Sequence, residues 1–324
     1  MKNVVLFDTS YGSLNLGDFI IEEAITREMN YLLSQSFCVK YPTHTPISHN
    51  LQSLLPVLST RTCRAADYKF ICGTNIVKNT LIRFARDWSI NLINASLYEG
   101  AVLLGCGREL NKGHLDSYTK HLYKKIFSKE YAHSVRDDRT AEFMDSLGFK
   151  VLVTGCPTTW GLRNESVAQT YAKDPSNTVL VTLTDYAKNP QQDTALIHFL
   201  ENRYERILFW PQGSRDYDYA KALGILDKVE IVPPSFTAYE AYMTRDFDYI
   251  GTRLHGGVFA LRNGHRTIIL SVDNRAKDMA ATTGLPVVPR ADFSAIEHML
   301  DRNQPPVLNI PLDTIEQWKS QFVG

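Results

Sequence analysis

The sequence predicts an α/β protein built from two doubly wound domains that face a cleft. Short apolar runs rich in β-branched residues alternate with longer stretches of helical periodicity, which is typical of parallel strands covered by helices on both faces. The chain has 324 residues, 44% of them apolar, so each half is long enough to bury a core of its own. The strand-like runs fall into two series separated by a stretch of little periodicity, which favours two domains over one.

Five strands are predicted in each half of the chain. The first series comprises Val4–Phe7, Lys69–Cys72, Ala101–Leu104, His133–Val135 and Val151–Val153. The second series comprises Thr178–Leu183, Arg206–Trp210, Val229–Val232, Asp248–Gly251 and Thr267–Leu270. Residues 160–178 lie between the two series and are rich in Asn, Asp, Ser and Pro, which predicts an irregular connection. We therefore expect Rossmann-like domains at residues 1–172 and 173–324.

The last part of the chain carries an apolar helical pattern. Leu312, Ile315, Trp318 and Phe322 recur at helical spacing, which predicts a terminal helix that packs one face on the body of the protein. A return of this helix to the N-terminal domain would provide such a surface.

Composition argues against several classes of protein. The 35 Lys and Arg residues balance 35 Asp and Glu residues, which disfavours a nucleic-acid-binding protein. The apolar runs are far shorter than the roughly 20 residues that cross a bilayer, and the first residues lack the apolar core of a signal peptide. We therefore expect a cytoplasmic protein without a membrane-spanning segment. The five cysteines show no C-x-x-C spacing, so we expect reduced thiols.

Parallel sheets bind ligands beyond the carboxyl ends of their strands, so residues that follow each strand are the first candidates. Asn15, Gly17 and Asp18 follow the first predicted strand. Gly17 permits close approach to the backbone, and Asp18 can cap a helix beginning at Phe19, whose free amides would suit an anion. The segment is neither a Walker loop nor a dinucleotide-binding fingerprint. A ligand loop and a simple helix cap both remain open.

Two further turns place small residues at strand ends. Gly73, Thr74 and Asn75 follow the second predicted strand, and Gly105 to Arg108 follow the third. These residues either line a ligand site or make tight turns between strand and helix.

Arg136 ends the fourth predicted strand. Its planar guanidinium matches a carboxylate or phosphate, whereas the structural alternative is an ion pair with Asp137 or Asp138.

The strongest local signal follows the strand at Asp248–Gly251. Arg253, Leu254 and His255 open a helix whose first turn contains two glycines, a cost in helix stability that suggests close approach to the backbone. The positive potential of a helix N-terminus favours an anion beside Arg253, and His255 can donate a proton. Lys277 follows the next strand and adds a basic group to the same edge.

Two strand ends of the second half mix aromatic and polar residues, as sugar sites often do. They are Thr184-Asp185-Tyr186 and the run from Trp210 to Asp216, which includes Gln212. Ordinary loops are the alternative.

The motifs together resemble the polysaccharide pyruvyl transferase family over most of the chain. They are N-x-G-D at Asn15–Asp18, S-V-R-D at Ser134–Asp137, D-Y-I-G-T-R-L-H at Asp248–His255, and K-D at Lys277-Asp278. The resemblance implies a GT-B-like fold and transfer of the pyruvyl group of phosphoenolpyruvate to a sugar of an exopolysaccharide or cell-surface glycan, commonly as a ketal. It also implies that Arg136, Leu254 and His255 contact phosphoenolpyruvate, with His255 as the proton donor. Cys156 departs from the aspartate that many members place before a proline.

The expected site follows from the motifs and the resemblance. His255 is the catalytic candidate, and Arg136, Arg253, Leu254 and Lys277 are the candidates for binding phosphoenolpyruvate. Residues expected to line the cleft or bind the acceptor are Asn15, Gly17, Asp18, Gly73, Thr74, Asn75 and Gln212.

No cofactor is expected besides phosphoenolpyruvate as co-substrate. No cluster of His, Asp, Glu or Cys has metal-ligand spacing, although a loosely bound divalent metal is not excluded. The expected partner is a saccharide acceptor, free or lipid-linked, and a lipid-linked acceptor would bring the enzyme to the inner face of the membrane. A nucleotide-sugar glycosyltransferase of the same fold and a non-catalytic sugar-binding protein are the alternatives.

Overall fold

Contacts within the chain divide it into two compact units. The computed structural model describes residues 1–48, 52–55, 57–82, 88–109, 113–171, 174–302 and 304–323, apart from the side chains of residues 274 and 275. Unit 1 comprises Met1–Ser13, Ile21–Trp160 and Pro311–Gly324, and unit 2 comprises Leu14–Ile20 and Gly161–Ile310.

Strands and helices alternate along the described chain. The strands are β1 (Lys2–Asp8), β2 (Ser36–Pro42), β3 (Tyr68–Cys72), β4 (Val102–Leu104), β5 (His133–Val135), β6 (Val151–Val153), β7 (Thr178–Thr182), β8 (Arg206–Phe209), β9 (Glu230–Ile231), β10 (Asp248–Gly251), β11 (Thr267–Ser271) and β12 (Val287–Pro289). The helices are α1 (Leu16–Glu28), α2 (Asn30–Leu33), α3 (Leu58–Ala65), α4 (Ser117–Ile126), α5 (Asp138–Ser146), α6 (Asn164–Thr170), α7 (Pro190–Glu201), α8 (Asp216–Ala222), α9 (Phe236–Tyr242), α10 (Leu254–Arg262), α11 (Asn274–Thr283), α12 (Phe293–Asp301) and α13 (Leu312–Ser320).

The ten predicted strands are confirmed, with small differences at their ends, but β2 and β12 were not predicted. Both are edge strands. An edge strand is covered less completely than a central one, so it does not need a continuous apolar run. The half-exposed sequence of β2 and the three residues of β12 carry too weak a pattern to be recognised.

The stretch after Trp160 was expected to be an irregular connection, and it contains α6 instead. The helix packs within unit 2, where the Asn164 side chain exchanges two hydrogen bonds with the backbone of Leu308, at 2.7 and 2.8 Å. The unit boundary therefore lies at Trp160/Gly161, whereas the expected domains meet at residues 172 and 173. These hydrogen bonds join residues that are far apart in sequence, and local periodicity carries no trace of them.

Unit 1 contains a parallel sheet in the order β2-β1-β3-β4 and a parallel pair, β5-β6. Side chains join the two at the β4 to β5 junction. The Leu103 amide donates to Nδ1 of His133 at 3.0 Å, and the Gly105 amide donates to Oγ of Ser134 at 2.8 Å. A bridge between Cys106 and Val135 continues the same parallel arrangement. The sheet is therefore extended to β6.

Unit 2 contains a six-stranded parallel sheet in the order β12-β11-β10-β7-β8-β9. If β7 to β12 are numbered 1 to 6 and the sheet is read from the β9 edge, the strand order is 3-2-1-4-5-6, which is that of the Rossmann fold. Alternate residues of β7 pack on opposite faces: Val179 and Val181 join one core cluster, and Leu180 joins another. Both faces of the sheet are thus covered, as a doubly wound sheet requires.

The helix predicted near the end of the chain is present as α13 and belongs to unit 1. Trp318 is fully buried and packs against Phe70, Trp160 and Phe322. Its indole nitrogen donates to the carbonyl of Ala132 at 2.8 Å.

Among the helices of the described residues, none combines the length and apolar character needed to span a membrane.

Candidate functional site

Each unit has a point in its sheet where the strand order reverses, and ligands of open α/β sheets bind beyond the carboxyl ends of the strands at such points. In unit 2 the reversal falls between β7 and β10, and in unit 1 it falls between β1 and β3. Gly73, Thr74 and Asn75 follow β3, and Arg253, Leu254 and His255 follow β10.

In unit 2, the loops after β7 and β10 are joined closely. Gly251, the last residue of β10, has no room for a side chain, because a Cβ there would lie 2.1 Å from Oγ1 of Thr182. The Thr252 amide donates to the carbonyl of Thr182 at 2.9 Å, and the Arg253 amide donates to Oγ1 of the same residue at 3.2 Å. Arg253 is thereby held at the point where the strand order reverses.

Arg253 is 5% exposed, and its guanidinium is paired with two carboxylates. Its Nε donates to Oδ2 of Asp216 at 2.9 Å, and its Nη2 donates to the other oxygen of the same carboxylate. Nη2 also donates to Oδ1 of Asp185 at 3.3 Å. Asp216 is fully buried, whereas Asp185 keeps part of its carboxylate in solvent. The sequence placed Arg253 at the site but did not predict these two acidic partners.

Asp216 joins three loops of unit 2. Besides Arg253, it accepts hydrogen bonds from the amides of Gly213 at 2.7 Å and Asp185 at 3.1 Å. Burial raises the pKa of Asp216 above its ordinary value, although the Arg253 guanidinium and the two amides stabilise its charged form. The run from Trp210 to Asp216 was noted for its mixed composition, but composition does not show which residue of the run is buried.

Asn15, Gly17, Gln212 and His255 come together beside this network. Nε2 of Gln212 donates to Oδ1 of Asn15 at 3.2 Å, and the Leu16 amide donates to the Gln212 carbonyl at 2.8 Å. A Cβ on Gly17 would lie 2.8 Å from Nε2 of Gln212 and 3.3 Å from Nδ1 of His255. Three regions of the sequence, around residues 15–17, 212 and 255, therefore form one cluster in unit 2.

The helix cap near the start of the chain differs from the prediction. Helix α1 begins at Leu16 and not at Phe19. Asn15 is the capping residue, because its Oδ1 accepts the Gly17 amide at 3.2 Å. Asp18 lies in the first turn, where its Oδ1 accepts Nδ2 of Asn15 at 3.4 Å. The pair resembles a capping box, in which the third helical residue returns to the cap.

The two glycines at the start of α10 are needed by the protein's own packing. A Cβ on Gly256 would lie 2.9 Å from Oε1 of Gln212, and one on Gly257 would lie 2.5 Å from Cγ1 of Ile269. The close approach predicted from these glycines is therefore made by a side chain of the site and by strand β11. Leu254 and His255, which precede them, are half-buried in the first turn.

In unit 1, Arg136 follows β5 and contacts Asn75. Nη2 of Arg136 donates to Oδ1 of Asn75 at 2.6 Å, and its Nε lies 3.6 Å from Oδ2 of Asp137. Gly107 lies against this pair, since a Cβ there would come within 2.6 Å of Nη2 of Arg136. Arg136 therefore has both the ion pair with Asp137 that was the structural alternative and a hydrogen bond to Asn75, which follows another strand.

The turn after β3 combines packing with strain. Gly73 has φ of 58°, and a Cβ on it would lie 2.4 Å from Ile21. Thr74 has φ of 56°, a left-handed conformation that side chains other than glycine rarely adopt. Such strain persists where surrounding structure enforces it and is frequent at functional sites. Gly73 therefore has a packing role, and Thr74 and Asn75 are the polar candidates of this turn.

Asp8, at the carboxyl end of β1, was not singled out from the sequence. It is buried beside the point of reversal in unit 1, and its Oδ1 accepts the Ser10 amide at 2.8 Å. Nζ of Lys40 lies 3.9 Å from Oδ2. Burial raises the pKa of Asp8. Aspartates often follow apolar strands, so the sequence alone does not mark Asp8. Its burial in the folded protein does.

Lys277 is exposed on α11, the helix that follows β11. Lys277 therefore follows the carboxyl end of β11, the strand beside β10, as the sequence predicted. Within the described ranges there is no group of three His, Cys, Asp or Glu residues that could hold a metal ion.

The fold matches that of known enzymes. Two structures of the UDP-GlcNAc 2-epimerase from Methanocaldococcus jannaschii are similar to this one at 13% sequence identity. The structure in complex with UDP-GlcNAc and UDP has a TM-score of 0.53, with 98% of each chain covered. The second has a TM-score of 0.55, with 99% of each chain covered. These enzymes are GT-B-like, so the predicted fold of two Rossmann-like domains is confirmed.

The sequence itself matches one family model. No curated protein has a significant match to the chain. The model of the family described as polysaccharide pyruvyl transferase matches residues 15–274. The match begins at the Asn15 cap and includes Arg136, the Asp216 network and the Arg253-Leu254-His255 helix start. Because it covers most of the chain, this protein belongs to the polysaccharide pyruvyl transferase family.

Proposed function

We propose that the protein transfers the pyruvyl group of phosphoenolpyruvate to a sugar of an exopolysaccharide or cell-surface glycan, where it forms a ketal. The observation that supports this most is the position of Arg253-Leu254-His255. In a chain of this family, the three residues open a helix at the point where the strand order of unit 2 reverses.

Phosphoenolpyruvate carries a carboxylate and a phosphate, so its site requires cationic groups and amides held at fixed positions. The first amides of α10 have no acceptor within the helix and are suited to an anion. Arg253 is oriented by Asp216, and its longer contact to Asp185 is the one that a donor carboxylate would replace. Arg136 and Lys277 are the further cations that we assign to the donor.

His255 is the acid that we assign to the chemical step. A sugar hydroxyl adds to C2 of phosphoenolpyruvate while His255 gives a proton to C3, which becomes the methyl group. The C2–O bond to phosphate then breaks, phosphate leaves, and a second hydroxyl of the sugar adds to C2 to close the ketal. One hydroxyl proton replaces the one that His255 gave, and the other leaves with phosphate. A positioned acid contributes about 10² to 10⁴ in rate.

The acceptor side of the proposal rests on amide and hydroxyl groups. Gln212 and Asn15 in unit 2, with Asp18 in the same turn, and Thr74 and Asn75 in unit 1 are the polar groups that we assign to sugar hydroxyls. Gly17 and Gly73 contribute by leaving room for their neighbours.

Replacing His255 by Gln tests the chemical step. The assay supplies phosphoenolpyruvate and a panel of oligosaccharides, and measures phosphate released only in the presence of an acceptor, with mass spectrometry of the product. We expect His255→Gln to lose about 10² to 10⁴ in turnover, while calorimetry shows phosphoenolpyruvate binding within a few fold of the original. His298→Gln is the matched control, because His298 is exposed on α12 and should retain full activity.

Two results would contradict the proposal. A fully active His255→Gln variant would remove His255 from the mechanism. Absence of phosphoenolpyruvate binding, together with release of UDP from a nucleotide sugar, would favour the glycosyltransferase alternative.

A further inference from the structure

Large apolar side chains are exposed just before α3 and at its first residue, in unit 1. Leu54, Leu55 and Leu58 expose 62%, 53% and 82% of their surfaces. Exposed apolar residues that occur singly are normal, but three within five positions form a patch that usually has an interaction partner. Arg61 and Arg64 are exposed on the same helix. We call these five residues the leucine-arginine surface.

Hydrogen bonds hold the leucine-arginine surface together. The Arg64 guanidinium donates to the carbonyl of Ser53, which places a positive charge beside Leu54. Oγ1 of Thr60 donates to the carbonyl of Leu55 at 2.6 Å, so Leu55 is held against α3. The apolar and basic groups are therefore neighbours in space as well as in sequence.

The sequence segment that carries this surface contains basic residues and no acidic ones. The chain as a whole has equal numbers of acidic and basic residues, yet no Asp or Glu occurs between Glu28 and Asp67. Arg61 and Arg64 lie in that interval, as does Lys40, whose Nζ is paired with Glu22. Arginines attract an anionic surface and are favoured beside leucines where a protein meets lipid headgroups.

The leucine-arginine surface also lies on a connection that leaves the carboxyl end of β2. Carboxyl ends of parallel strands share one edge of the sheet, and Asn75 and Arg136 follow the carboxyl ends of β3 and β5. Leu92 and Ile93, which are likewise exposed, belong to the connection after β3. They are followed by Asn94 and the 3-10 helix Ala95–Leu97, which packs against α3.

We propose that the leucine-arginine surface docks on an anionic lipid bilayer, with the leucines among the acyl chains and the arginines on lipid phosphates. A second copy of the chain fits less well, because a two-fold interface centred on this surface would set Arg61 and Arg64 against their own copies, and residues 29–66 supply no Asp or Glu to pair with them. The bilayer satisfies both the apolar and the cationic groups. Docking requires no catalysis, so it is measured without substrate and independently of the proposed function.

Flotation with vesicles tests the docking. The purified full chain is mixed with vesicles of phosphatidylcholine alone or with about 30 mol% phosphatidylglycerol, at low salt and at about 0.5 M salt. We expect binding to the anionic vesicles and its loss at high salt. The variant Leu54→Ser/Leu55→Ser/Leu58→Ser and the variant Arg61→Gln/Arg64→Gln should each lower partitioning about tenfold or more.

Matched controls come from exposed residues elsewhere. Ile231→Ser/Val307→Ser changes exposed apolar side chains of unit 2, and Lys124→Gln/Lys125→Gln changes exposed lysines of α4. Both controls should partition like the original protein, and thermal unfolding checks that every variant is folded. The proposal would be overturned if the protein did not bind anionic vesicles, or if the control variants lost as much binding as the leucine and arginine variants. It would also be overturned if the leucine variant changed from dimer to monomer and no vesicle binding were seen.

Discussion

A buried carboxylate, Asp216, organises the candidate site of unit 2 at the scale of single residues. It receives the Arg253 guanidinium and the amides of Gly213 and Asp185, which belong to three different loops. A guanidinium keeps its charge at any ordinary pH, so a buried arginine needs such a partner to offset the loss of water. Any role of Arg253 in binding a donor therefore depends on Asp216.

Asp216→Asn should weaken both folding and donor binding. The side-chain amide of Asn has one oxygen that accepts hydrogen bonds and one NH2 group that only donates them. The NH2 group would face the Arg253 guanidinium, which is also a donor, and would leave this buried charge partly unpaired. We expect the free energy of unfolding to fall by about 3 kcal/mol and the KM for phosphoenolpyruvate to rise. Urea unfolding and steady-state kinetics measure the two effects.

Asp218→Asn serves as the control for this change, because Asp218 is exposed on the same helix. Equal stability and equal KM in the Asp216 and Asp218 variants would show that Asp216 has no such role.

Gly17→Ala should separate activity from stability. Alanine is favoured over glycine in a helix by about 1 kcal/mol, and the nearest obstacle, Nε2 of Gln212 at 2.8 Å, is the end of a flexible side chain. Thermal stability should therefore be unchanged or slightly higher. Gln212 must move away from Asn15, however, and the added methyl group also crowds Nδ1 of His255, so turnover should fall. Unchanged turnover would mean that this cluster is not part of the site.

At the scale of secondary-structure elements, the sheet of unit 1 depends on one histidine. Nδ1 of His133 accepts the Leu103 amide, so the other ring nitrogen carries the proton that is donated to the Ser128 carbonyl, 3.1 Å away. A protonated imidazole could not accept at Nδ1. Burial lowers the pKa of His133 from 6.5 to about 4. The junction between β4 and β5 therefore requires the neutral ring.

This requirement predicts a loss of stability in acid. Between pH 6.5 and about 4, an unfolded chain binds a proton on His133 that the folded chain does not bind, so the free energy of unfolding falls as the pH falls. The stability that comes from the neutral His133 ring is fully present above pH 6.5. About 3 kcal/mol of it is lost as the pH falls from 6.5 to about 4. Urea unfolding at a series of pH values measures it.

His133→Gln removes the titrating group while keeping an acceptor and a donor. The free energy of unfolding of this variant should depend less on pH than that of the original protein. His298→Gln, at an exposed position, is the comparison variant. Burial also lowers the pKa of His265, which acts in the same direction and remains in both variants. A His133→Gln variant as acid-sensitive as the original would refute the assignment.

At the scale of the whole molecule, the chain returns to unit 1 after it has built unit 2. Helix α13 closes the core of unit 1 with Trp318, and Nζ of Lys319 pairs with Glu28 at 3.0 Å. The first and last segments of the sequence therefore contribute to one folding unit. The turn that contains Asn15 and Gly17 belongs to unit 2, although it follows the first strand of unit 1.

Trp318→Ala should destabilise unit 1. The fully buried indole contacts three aromatic rings and donates a hydrogen bond, and removal of a large aromatic side chain from a core costs about 3 to 5 kcal/mol. Glu316→Ala, at an exposed position of the same helix, should have little effect. Urea unfolding followed by circular dichroism compares the two, and equal midpoints would show that α13 contributes little to the core.

Sequence patterns predicted most of the strands because a buried parallel strand needs an apolar run, as in Val102–Leu104 and Asp248–Gly251. The same patterns located Arg136, Arg253 and His255 at strand ends, where the structure has them. They did not reveal β2 and β12, since an edge strand needs less burial, or the partners Asp216 and Asp185, since an acidic residue in a loop looks the same whether buried or exposed. The cap at Asn15 was misplaced because several residues of that loop can cap a helix.

Apolar periodicity and strand-end motifs are local properties, so the amino-acid sequence by itself determined the α/β class, the order of most elements and the family. Tertiary structure alone decided that Gly17, Gln212 and His255 meet, that Asp216 is the buried partner of Arg253, and that α13 completes unit 1. The physical reason is that burial and pairing depend on residues far apart along the chain, and only the folded protein sets their distances.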